Sequence, residues 1–485
     1  MTAKKVSRRT FLKVTGLSLG GAALAACAAP APAAAPAAAA PEATAAPAAT
    51  EAPAPTAVPA AAEAPAAAAE EGVLWGLEYD PHVATYKRLA GMFKEKSGVT
   101  LAVEPQAWPI ETKLIAGLAA GVAPNVVCIM GKMCIPLHIQ KALMPLKEAV
   151  YAANGVNPET DFVGDGIGAY SWEGDIYGVP TEVNGVGNIV NVPVDDVKAL
   201  GLEKQYPPTN GEPFFESFES MWDLAKALQV EKDGKVERWG LSSKGWDNQS
   251  YLGILRTLLK PEGVDWWDNN NKKFNINTEA GIKAMEFHAE MPVKLGIETE
   301  LDQNQIDAAM AGKVALARGN GGPSVQGRAL GYNYYGCGNP KIGGQVAQIC
   351  GEAGWGFVAP AENPSTDVAV KFLQMMATEE GQMGYSKIYD GIISCWAGLA
   401  GNFSYFTDPS DDNPNVQLAK IVQEHLLPNT QFYGEGFGYP GEVDGAGGEI
   451  TSLVRQGKLT AAEACVQYQE RAEAQYKQFL EDLEA

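Results

Sequence analysis

The pattern of apolar positions in the first part of the folded chain alternates between strand and helix. Short apolar runs at residues 73–76, 100–103 and 126–130 predict strands, and the last of them is apolar throughout. Between them, apolar residues spaced three and four apart predict helices after Asp80-Pro81 and over residues 111–119. Strand–helix alternation of this kind predicts an α/β fold in which helices cover both faces of a parallel sheet.

Further elements of similar length follow along the chain. Helices are predicted over residues 139–151 (broken at Pro145), 218–229, 279–293 with Asn277 as the cap, 366–376 capped by Ser365 or Thr366, and 460–483; strands are predicted over 239–242, 314–317 and 355–359.

Candidate ligand contacts follow the first two predicted strands, and Gly131 and Lys132 follow the third. Ligands of parallel α/β sheets bind at the carboxyl ends of the strands. Glu78 and Asp80 follow the first strand, and Gln106 and Trp108 follow the second. These residues are therefore candidates for a binding site at this edge of the sheet.

The stretch from Glu173 to Asn184 predicts a crossing between two domains. Residues 176–179 form a short strand pattern, and Pro180 lacks the N–H that a strand ladder needs, so the chain leaves the sheet there. Glu182 and Asn184 then present hydrogen-bonding groups before a new apolar run. The alternative is an ordinary hairpin corner.

The N-terminus carries an export signal. Residues 7–13, Ser-Arg-Arg-Thr-Phe-Leu-Lys, match a twin-arginine signal, and the apolar segment after them is too short to span a membrane. That segment ends in Leu-Ala-Ala before Cys27, which resembles a lipoprotein lipobox whose thiol accepts a diacylglyceryl group. Residues 1–27 are therefore a predicted signal peptide with a lipid-attachment cysteine; an ordinary signal with an incidental cysteine is the alternative.

The segment 28–71 is composed almost entirely of Ala, Pro, Thr and Glu. It has no large apolar side chains with which to form a core, so a disordered tether is predicted. The folded part is then expected to stand beside the outer face of the cytoplasmic membrane, anchored through Cys27.

The charge balance is acidic, with 37 Lys+Arg against 58 Asp+Glu and a net charge of −21. The electrostatic field of this negative net charge repels nucleic acid, which is therefore not expected as a partner. Of the seven cysteines, Cys337 and Cys350 flank a Gly-rich loop and predict a disulfide that would stabilise the fold by about 3 kcal/mol. Cys128, Cys134 and His138 are a conceivable metal set, but buried thiols are the favoured interpretation, and no metal or cofactor is expected.

Signatures of enzymes are absent from the sequence. The four histidines form no paired-ligand helix motif. Residues 436–441 match Gly-x-Gly-x-x-Gly, but Pro440 interrupts the motif and no convincing strand precedes it. Tyr433 and Tyr439 are instead expected over the mouth of a cleft.

Several motifs in a specific order resemble a known family. They are Asp175-Ile-Tyr-Gly-Val-Pro180, Gly312-Lys-Val-Ala-Leu316, Ala359-Pro360, Asn363-Pro364, residues 369–376 and Thr378-Glu-Glu380. Together with the lipoprotein N-terminus, they resemble the extracellular solute-binding proteins of ABC importers, in the sugar-binding branch that includes maltodextrin binders. The resemblance covers nearly all of residues 72–485.

The resemblance implies a two-lobed periplasmic-binding-protein-like fold (class II), in which each lobe is a sheet flanked by helices and a multi-strand hinge joins the lobes. The expected N-terminal lobe comprises residues 72–182 plus 315–362, and the C-terminal lobe comprises 183–314 plus 363–485. Such a protein has no catalytic residues and is expected to be a monomer that binds a sugar and an ABC permease.

The resemblance also implies ligand contacts. The positions that match are Trp75, Glu78, Trp108, Glu182, Asn184, Trp246, Asp247 and Trp396. Trp355, Tyr433 and Tyr439 are further candidates for ligand contacts. The chain departs from the family pattern at Ser324, where tryptophan is common, and over residues 390–396. Both departures bear on the identity of the ligand more than on the fold.

The ten tryptophans suit a sugar ligand, because flat aromatic rings bind the C–H face of a sugar while carboxylates and amides bind its hydroxyl rim. Three alternatives remain open at this point: a binder of a cationic solute such as a quaternary amine or polyamine in an acidic aromatic cage, a secreted carbohydrate-active enzyme, and a passive cell-wall adhesion module.

Overall fold

The computed structural model describes residues 71–163, 166–183, 189–207, 215–245, 247–268, 270–319, 322–329, 331–345, 349–351, 354–388, 392–411, 413–427, 430–432 and 441–484. The strands are β1 Glu71–Leu77, β2 Thr100–Gln106, β3 Val126–Met130, β4 Ser171–Trp172, β5 Asp175–Ile176, β6 Gly178–Pro180, β7 Ile189–Pro193, β8 Val230–Lys232, β9 Lys235–Ser242, β10 Trp267–Asp268, β11 Lys273–Phe274, β12 Val314–Gly319, β13 Tyr334–Gly338, β14 Ile349–Gly351, β15 Trp355–Val358 and β16 Thr430–Phe432.

The α-helices are Asp80–Ser97, Ile110–Ala120, Cys134–Ile139, Pro158–Asp161, Val194–Ala199, Phe218–Leu228, Asp247–Leu259, Glu279–Met285, Met291–Lys294, Gln305–Met310, Gly322–Ala329, Thr366–Met376, Glu379–Ser386, Pro414–Ile421, Gly441–Arg455 and Ala461–Glu484. Segments of π-helix occur at Lys147–Tyr151, Glu286–Glu290 and Val422–Leu426, and the second of these joins Glu279–Met285 to Met291–Lys294.

The first sheet has the strand order β2-β1-β3-β15-β6. β1 pairs in parallel with β2 and β3, and β15 runs antiparallel to β3 and β6. The helix Asp80–Ser97 begins with a proline in its first turn and ends at Gly98, whose φ of 74° is the left-handed conformation that glycine adopts readily. Its Phe93 packs edge-on against Phe372 of the helix Thr366–Met376, with ring centroids 5.5 Å apart.

The second sheet has the strand order β13-β7-β12-β9-β8. β12 runs parallel to β9, and β7 runs antiparallel to β12 and β13. β9, β12 and β13 therefore end at one common edge. Two sheets flanked by helices confirm the predicted α/β class and the two-lobed arrangement.

The connections place the carboxyl edges of the two sheets on the side where the chain crosses between them. β6 ends at Pro180, which pairs with Gly356 beside the carboxyl end of β3, and β7 begins at Ile189, which pairs with Gly319 at the end of β12. The connection from β13 to β15 runs between the same two edges. The edges that bind ligands in α/β sheets thus both lie at the crossings.

The predicted lobe boundaries are wrong in two places. β12 and β13 belong to the second sheet, although residues 315–362 were expected in the first lobe. The helices Thr366–Met376 and Glu379–Ser386, expected in the second lobe, pack against the helix Asp80–Ser97 of the first. Strand pairing decides the first outcome and helix packing the second, and both join residues far apart in the sequence.

The bounds of most predicted helices and strands agree with the structure, and two local predictions are wrong. The predicted helix over 139–151 is absent, because the helix ends at Ile139 and only the π-helical turn Lys147–Tyr151 follows Pro145. The cap of the helix that begins at Glu279 is Thr278 rather than Asn277, since the Thr278 side chain accepts the N–H of Gly281 at 3.1 Å. Pro180 does end its strand as predicted.

Candidate ligand-binding site

Four aromatic side chains cluster at the carboxyl edge of the first sheet. The His82 ring lies 5.7 Å from Tyr79 and 5.0 Å from Trp355, and Trp355 lies 6.5 Å from Trp108 between ring centroids. Trp108 is 52% exposed and Tyr79 39% exposed, whereas Trp355 is 9% exposed. The cluster therefore offers aromatic surface to a ligand while part of it is held in the core. We call Tyr79, His82, Trp108 and Trp355 the aromatic cluster.

Strand register explains why these residues meet. Leu77 and Gln106 end the parallel strands β1 and β2 side by side, and the Glu78 N–H donates to the Gln106 carbonyl at 2.8 Å. Trp355 begins β15 opposite Met130, the last residue of β3. Residues that follow β1 and β2, and the residue that begins β15, must therefore share one edge.

The aromatic cluster carries no positive charge at neutral pH. Burial lowers the pKa of His82 to about 4, and its Nδ1 lies 2.9 Å from the Tyr86 hydroxyl. Two carboxyl groups follow the same strands: Glu78 is exposed, and the Oε2 atom of Glu111 is buried without a hydrogen-bond partner. Neutral rings beside acceptor oxygens can hold an apolar face and bind hydroxyl or cationic groups at its rim.

Trp75 lies outside the aromatic cluster. It is within β1, paired with Glu104 of β2, and its indole N–H donates to the Glu104 carboxylate at 2.9 Å. A Cβ atom at Gly117 would lie 3.2 Å from the Trp75 ring, so the ring packs on the helix Ile110–Ala120. Its contacts are those of a structural residue on one face of the sheet.

Glu182, one of the predicted ligand contacts, is a buried side chain. Glu182 is 6% exposed, and its backbone is paired with Ser394. A Cβ atom at Gly354 would lie 2.5 Å from the Glu182 Cγ, so the side chain is enclosed by the chain that leads into β15. The Oε2 atom is buried and has no hydrogen-bond partner. The pattern of polar and apolar residues after β6 does not predict the direction in which the Glu182 side chain points.

Burial raises the pKa of Glu182 to about 7, while the Trp355 backbone and the Tyr385 hydroxyl act in the opposite direction. The carboxyl group is therefore partly protonated at neutral pH. It lies beneath the backbone of Trp355, whose ring belongs to the aromatic cluster.

Asp247 is committed to an internal ion network in the second lobe. Its Oδ1 accepts a short hydrogen bond from Nη2 of Arg455, whose side chain is 0% exposed. Nε of Arg455 lies 3.2 Å from Oε1 of Glu298, and Nη2 donates to the Ser243 hydroxyl at 3.0 Å. We call Asp247, Glu298 and Arg455 the buried ion network. Asp247 therefore stabilises the loop after β9 through contacts inside the lobe. This differs from the ligand contact that the resemblance implied.

Burial and neighbouring side chains act in opposite directions on the pKa of Asp247 inside the buried ion network. Burial alone would raise its pKa, but Arg455 and His288 hold it well below its usual range. Burial raises the pKa of Glu298, and Arg455 opposes that rise. The two carboxyl groups together raise the pKa of Arg455 against the effect of its burial.

A second buried arginine adjoins this network. Nη1 of Arg318 lies 2.9 Å from Nδ1 of His288, and Nε2 of His288 lies 3.4 Å from Asp247. Since a guanidinium only donates, Nδ1 of His288 accepts and Nε2–H faces the carboxylate. Burial lowers the pKa of His288 to about 4, in accord with a neutral ring.

The other predicted residues are separated. Trp396 is half-buried and packs edge-on against Phe162 at 5.3 Å, beside the first crossing and apart from the aromatic cluster. The remaining predicted contacts and the lipid-attachment cysteine lie outside the described residues: Asn184, Trp246, Tyr433, Tyr439 and Cys27.

The cysteines of the described core are free thiols. Cys337 is free and buried, and its thiol donates to the Val190 carbonyl at 3.5 Å. The predicted Cys337–Cys350 disulfide is therefore not formed at Cys337; the Cys350 side chain lies outside the described part of the chain. Cys128 and Cys134 are buried free thiols, and no group of metal-ligating side chains occurs among the described residues.

Sequence reasoning missed the buried arginines and His82. Arg318 stands inside the apolar strand β12, which is a local signal because arginine is almost never fully buried without a partner. His82 follows Asp80-Pro81 at the first turn of a helix after a strand, a position at the carboxyl edge. The ion-pair partners of Arg455 lie up to 208 positions away, so only the fold reveals them.

In the part of the chain that the structure describes, no helix has the length and apolar character needed to cross a membrane.

Comparison with solved structures shows the fold. The maltose/maltodextrin-binding domain MalE from Bdellovibrio bacteriovorus, bound to maltotriose, is 17% identical with a TM-score of 0.64, and the match covers 84% of this chain and 100% of that chain. The GacH receptor of Streptomyces glaucescens, solved unliganded and with acarbose, is 17% identical with a TM-score of 0.66, covering 84% and 99%. UgpB from Mycobacterium tuberculosis, in complex with glycerophosphocholine, is 16% identical with a TM-score of 0.65, covering 84% and 98%.

No curated protein matches the chain significantly. A family model described as bacterial extracellular solute-binding protein matches residues 88–418, which is more than half of the chain. This range includes β2, β3, β15 and Trp108 and Trp355 of the aromatic cluster. The two sheets, whose carboxyl edges both lie at the crossings, and this match lead to one conclusion: the chain belongs to the family of bacterial extracellular solute-binding proteins.

Proposed function

We propose that this protein captures a saccharide between its two lobes and delivers it to an ABC permease. The aromatic cluster at the carboxyl edge of the first sheet carries the proposal. Trp108 is 52% exposed at a position where it can meet a ligand, and Trp355 supports it edge-on from the core. Relatives in fold with bound maltotriose and acarbose add support.

The chemistry of the two edges suits a sugar. The rings of Trp108 and Tyr79 can cover the C–H face of a pyranose, and carboxylates such as Glu78 can accept hydrogen bonds from hydroxyl groups. The second sheet presents its own carboxyl edge at the same crossings. A solute that contacts both edges favours the closed arrangement of the lobes, as expected for a population shift.

The proposed location is the outer face of the cytoplasmic membrane. A twin-arginine signal, a lipidated Cys27 and an Ala/Pro-rich tether over residues 28–71 would keep the binding lobes close to the permease. The protein is expected to act as a monomer and without catalytic groups.

A second candidate function is capture of a cationic solute. Glu78 and Asp80 are exposed beside Tyr79, and cations bind over the faces of tryptophan and tyrosine. UgpB, a relative in fold, was solved with glycerophosphocholine, which contains a quaternary ammonium group. Binding of quaternary amines that weakens with salt, with no response to sugars, would favour this candidate.

Replacing Trp108 by alanine is expected to weaken saccharide binding by about ten- to a hundredfold, or about 1.4–2.8 kcal/mol, because the exposed ring supplies the apolar contact. Quenching of intrinsic fluorescence during titration with oligosaccharides measures the change. Trp75→Phe is the matched control, since Trp75 packs on a helix outside the aromatic cluster. Equal affinity of Trp108→Ala and the unmodified protein would reject this site.

A further inference from the structure

Arg318 is a buried cation that forms no ion pair with any of the described residues. It is 0% exposed and lies one residue before the carboxyl end of β12. Its Nε donates to Oδ1 of Asn339 at 2.8 Å and its Nη1 donates to His288, but its Nη2 is buried and unpaired. Among the described residues, the acidic side chains near Arg318 form ion pairs with Arg455, and no carboxylate pairs with Arg318.

Two further polar groups at this edge are also unsatisfied. Nδ2 of Asn339 is buried and unpaired, beside the oxygen that Arg318 binds. Both polar atoms of the Gln305 side chain are buried without partners, and its backbone N–H donates to the Lys244 carbonyl after β9. A buried polar group that is left unpaired destabilises the folded protein. The unpaired N–H groups of Arg318 and Asn339 at this edge can therefore donate hydrogen bonds to an acceptor of a bound solute.

Arg318 retains its charge at neutral pH. Burial lowers its pKa to about 10, and Glu298 and Asp247 act against that effect from the neighbouring buried ion network. Arg455 repels it. His288 is neutral and accepts one of its N–H groups, and the Phe218 ring lies 5.4 Å from the guanidinium carbon. None of these neighbours neutralises the charge by direct pairing.

The position of this pair relates it to the binding cleft. Asn339 directly follows β13 and begins the connection that leads to Trp355 of the aromatic cluster. Arg318 pairs through its backbone with Val190, one residue after β7 begins. Both residues therefore lie at the carboxyl edge of the second sheet, beside the crossings that lead to the edge with the aromatic rings.

We infer that Arg318 and Asn339 form a recognition site for an anionic group, a carboxylate or a sulfate, carried by the captured saccharide. This inference rests on the proposed function and narrows the ligand to an acidic sugar, such as a uronic acid or a sulfated sugar. The aromatic cluster holds the ring face, and the guanidinium supplies the charge-assisted hydrogen bonds that a neutral sugar would leave unmade.

If Arg318 binds an anionic ligand group, removing its charge is expected not to destabilise the ligand-free protein. Arg318→Met relieves an unpaired buried cation, so the melting temperature of the ligand-free variant is expected to stay equal or rise by a few degrees. A satisfied structural arginine would instead lower it. A large loss of melting temperature in Arg318→Met would overturn the inference.

Binding supplies the second test, by calorimetry on the full chain with galacturonate oligomers and their neutral galactose counterparts. The acidic ligand is expected to bind at least tenfold more tightly, and Arg318→Gln is expected to abolish this preference while Arg318→Lys keeps part of it. Arg256→Gln is the control, because Arg256 pairs with Asp265 at another site. An unchanged preference in Arg318→Gln, or equal binding of both ligands, would refute the anion site and leave the proposed saccharide function standing.

Inorganic sulfate separates the anion site from the saccharide function. Sulfate is expected to raise the melting temperature of the unmodified protein more than that of Arg318→Gln. If no saccharide binds but this difference holds, the saccharide function fails and the anion site stands. If sulfate acts equally on both proteins and no acidic sugar binds, both fail.

Discussion

Arg455→Met is expected to lower the free energy of unfolding by about 3–5 kcal/mol, the usual effect of removing one partner from a buried ion pair. Asp247 and Glu298 would then be buried carboxylates without a cation, since both side chains are almost completely enclosed. Urea unfolding followed by circular dichroism measures the loss. Adding Glu298→Gln to Arg455→Met is expected to restore part of it, because one buried charge disappears.

Arg471→Met is the matched control for this loss. Arg471 pairs with Glu449 at the surface, with side-chain exposures of 44% and 72%. Surface pairs of this kind stabilise proteins by about 0–1 kcal/mol. Similar losses in Arg455→Met and Arg471→Met would show that the buried ion network does not hold the loop after β9.

Glu182→Gln is expected to remove a pH dependence from the stability. The folded protein raises the pKa of Glu182 to about 7, from the 4.5 of a glutamate side chain in water. Between these values the unfolded chain has released the proton that the folded protein still binds, so stability falls as pH rises from about 4.5 to about 7. The loss is on the order of 3 kcal/mol and is complete above pH 7. Glutamine is neutral throughout, so the variant gains relative to the unmodified protein at pH 8 and matches it near pH 4.5.

Denaturation of both proteins at pH 5 and pH 8 checks this expectation. Glu262→Gln is the control, because Glu262 is exposed in a turn and its carboxyl group stays in water. Stability curves of Glu182→Gln and the unmodified protein that run parallel from pH 5 to pH 8 would contradict the internal placement of Glu182.

Much of the first lobe could be predicted from local pattern. β3 is apolar at each position and matches its predicted bounds, and the helix Asp80–Ser97 has its proline and its glycine where the sequence places them. Trp108 follows the carboxyl end of β2, which is why a rule about carboxyl edges finds it. Trp355 begins β15 and lies at the same edge only because β15 runs antiparallel to β3. Local hydrophobic pattern and turn chemistry decide these features.

Lobe membership and side-chain direction could not be predicted in the same way. β12 joins the second sheet through pairing with β9 and β7, and no local signal distinguishes that sheet from the first. Glu182 and Asp247 are of residue types that often bind ligands, yet both are buried. Glu182 points into the first lobe, and Asp247 pairs with Arg455 of a helix far away in the sequence. Long-range pairing, rather than residue type, separates a ligand contact from an internal charge.

Titration calorimetry with mono- and oligosaccharides tests the central claim most directly, with a quaternary ammonium compound titrated at low and high salt for comparison. Saccharide binding with a dissociation constant in the micromolar range or below, a negative heat-capacity change from apolar burial and no response to the amine is the expected result. Binding of the amine alone, or of neither class, would contradict the account.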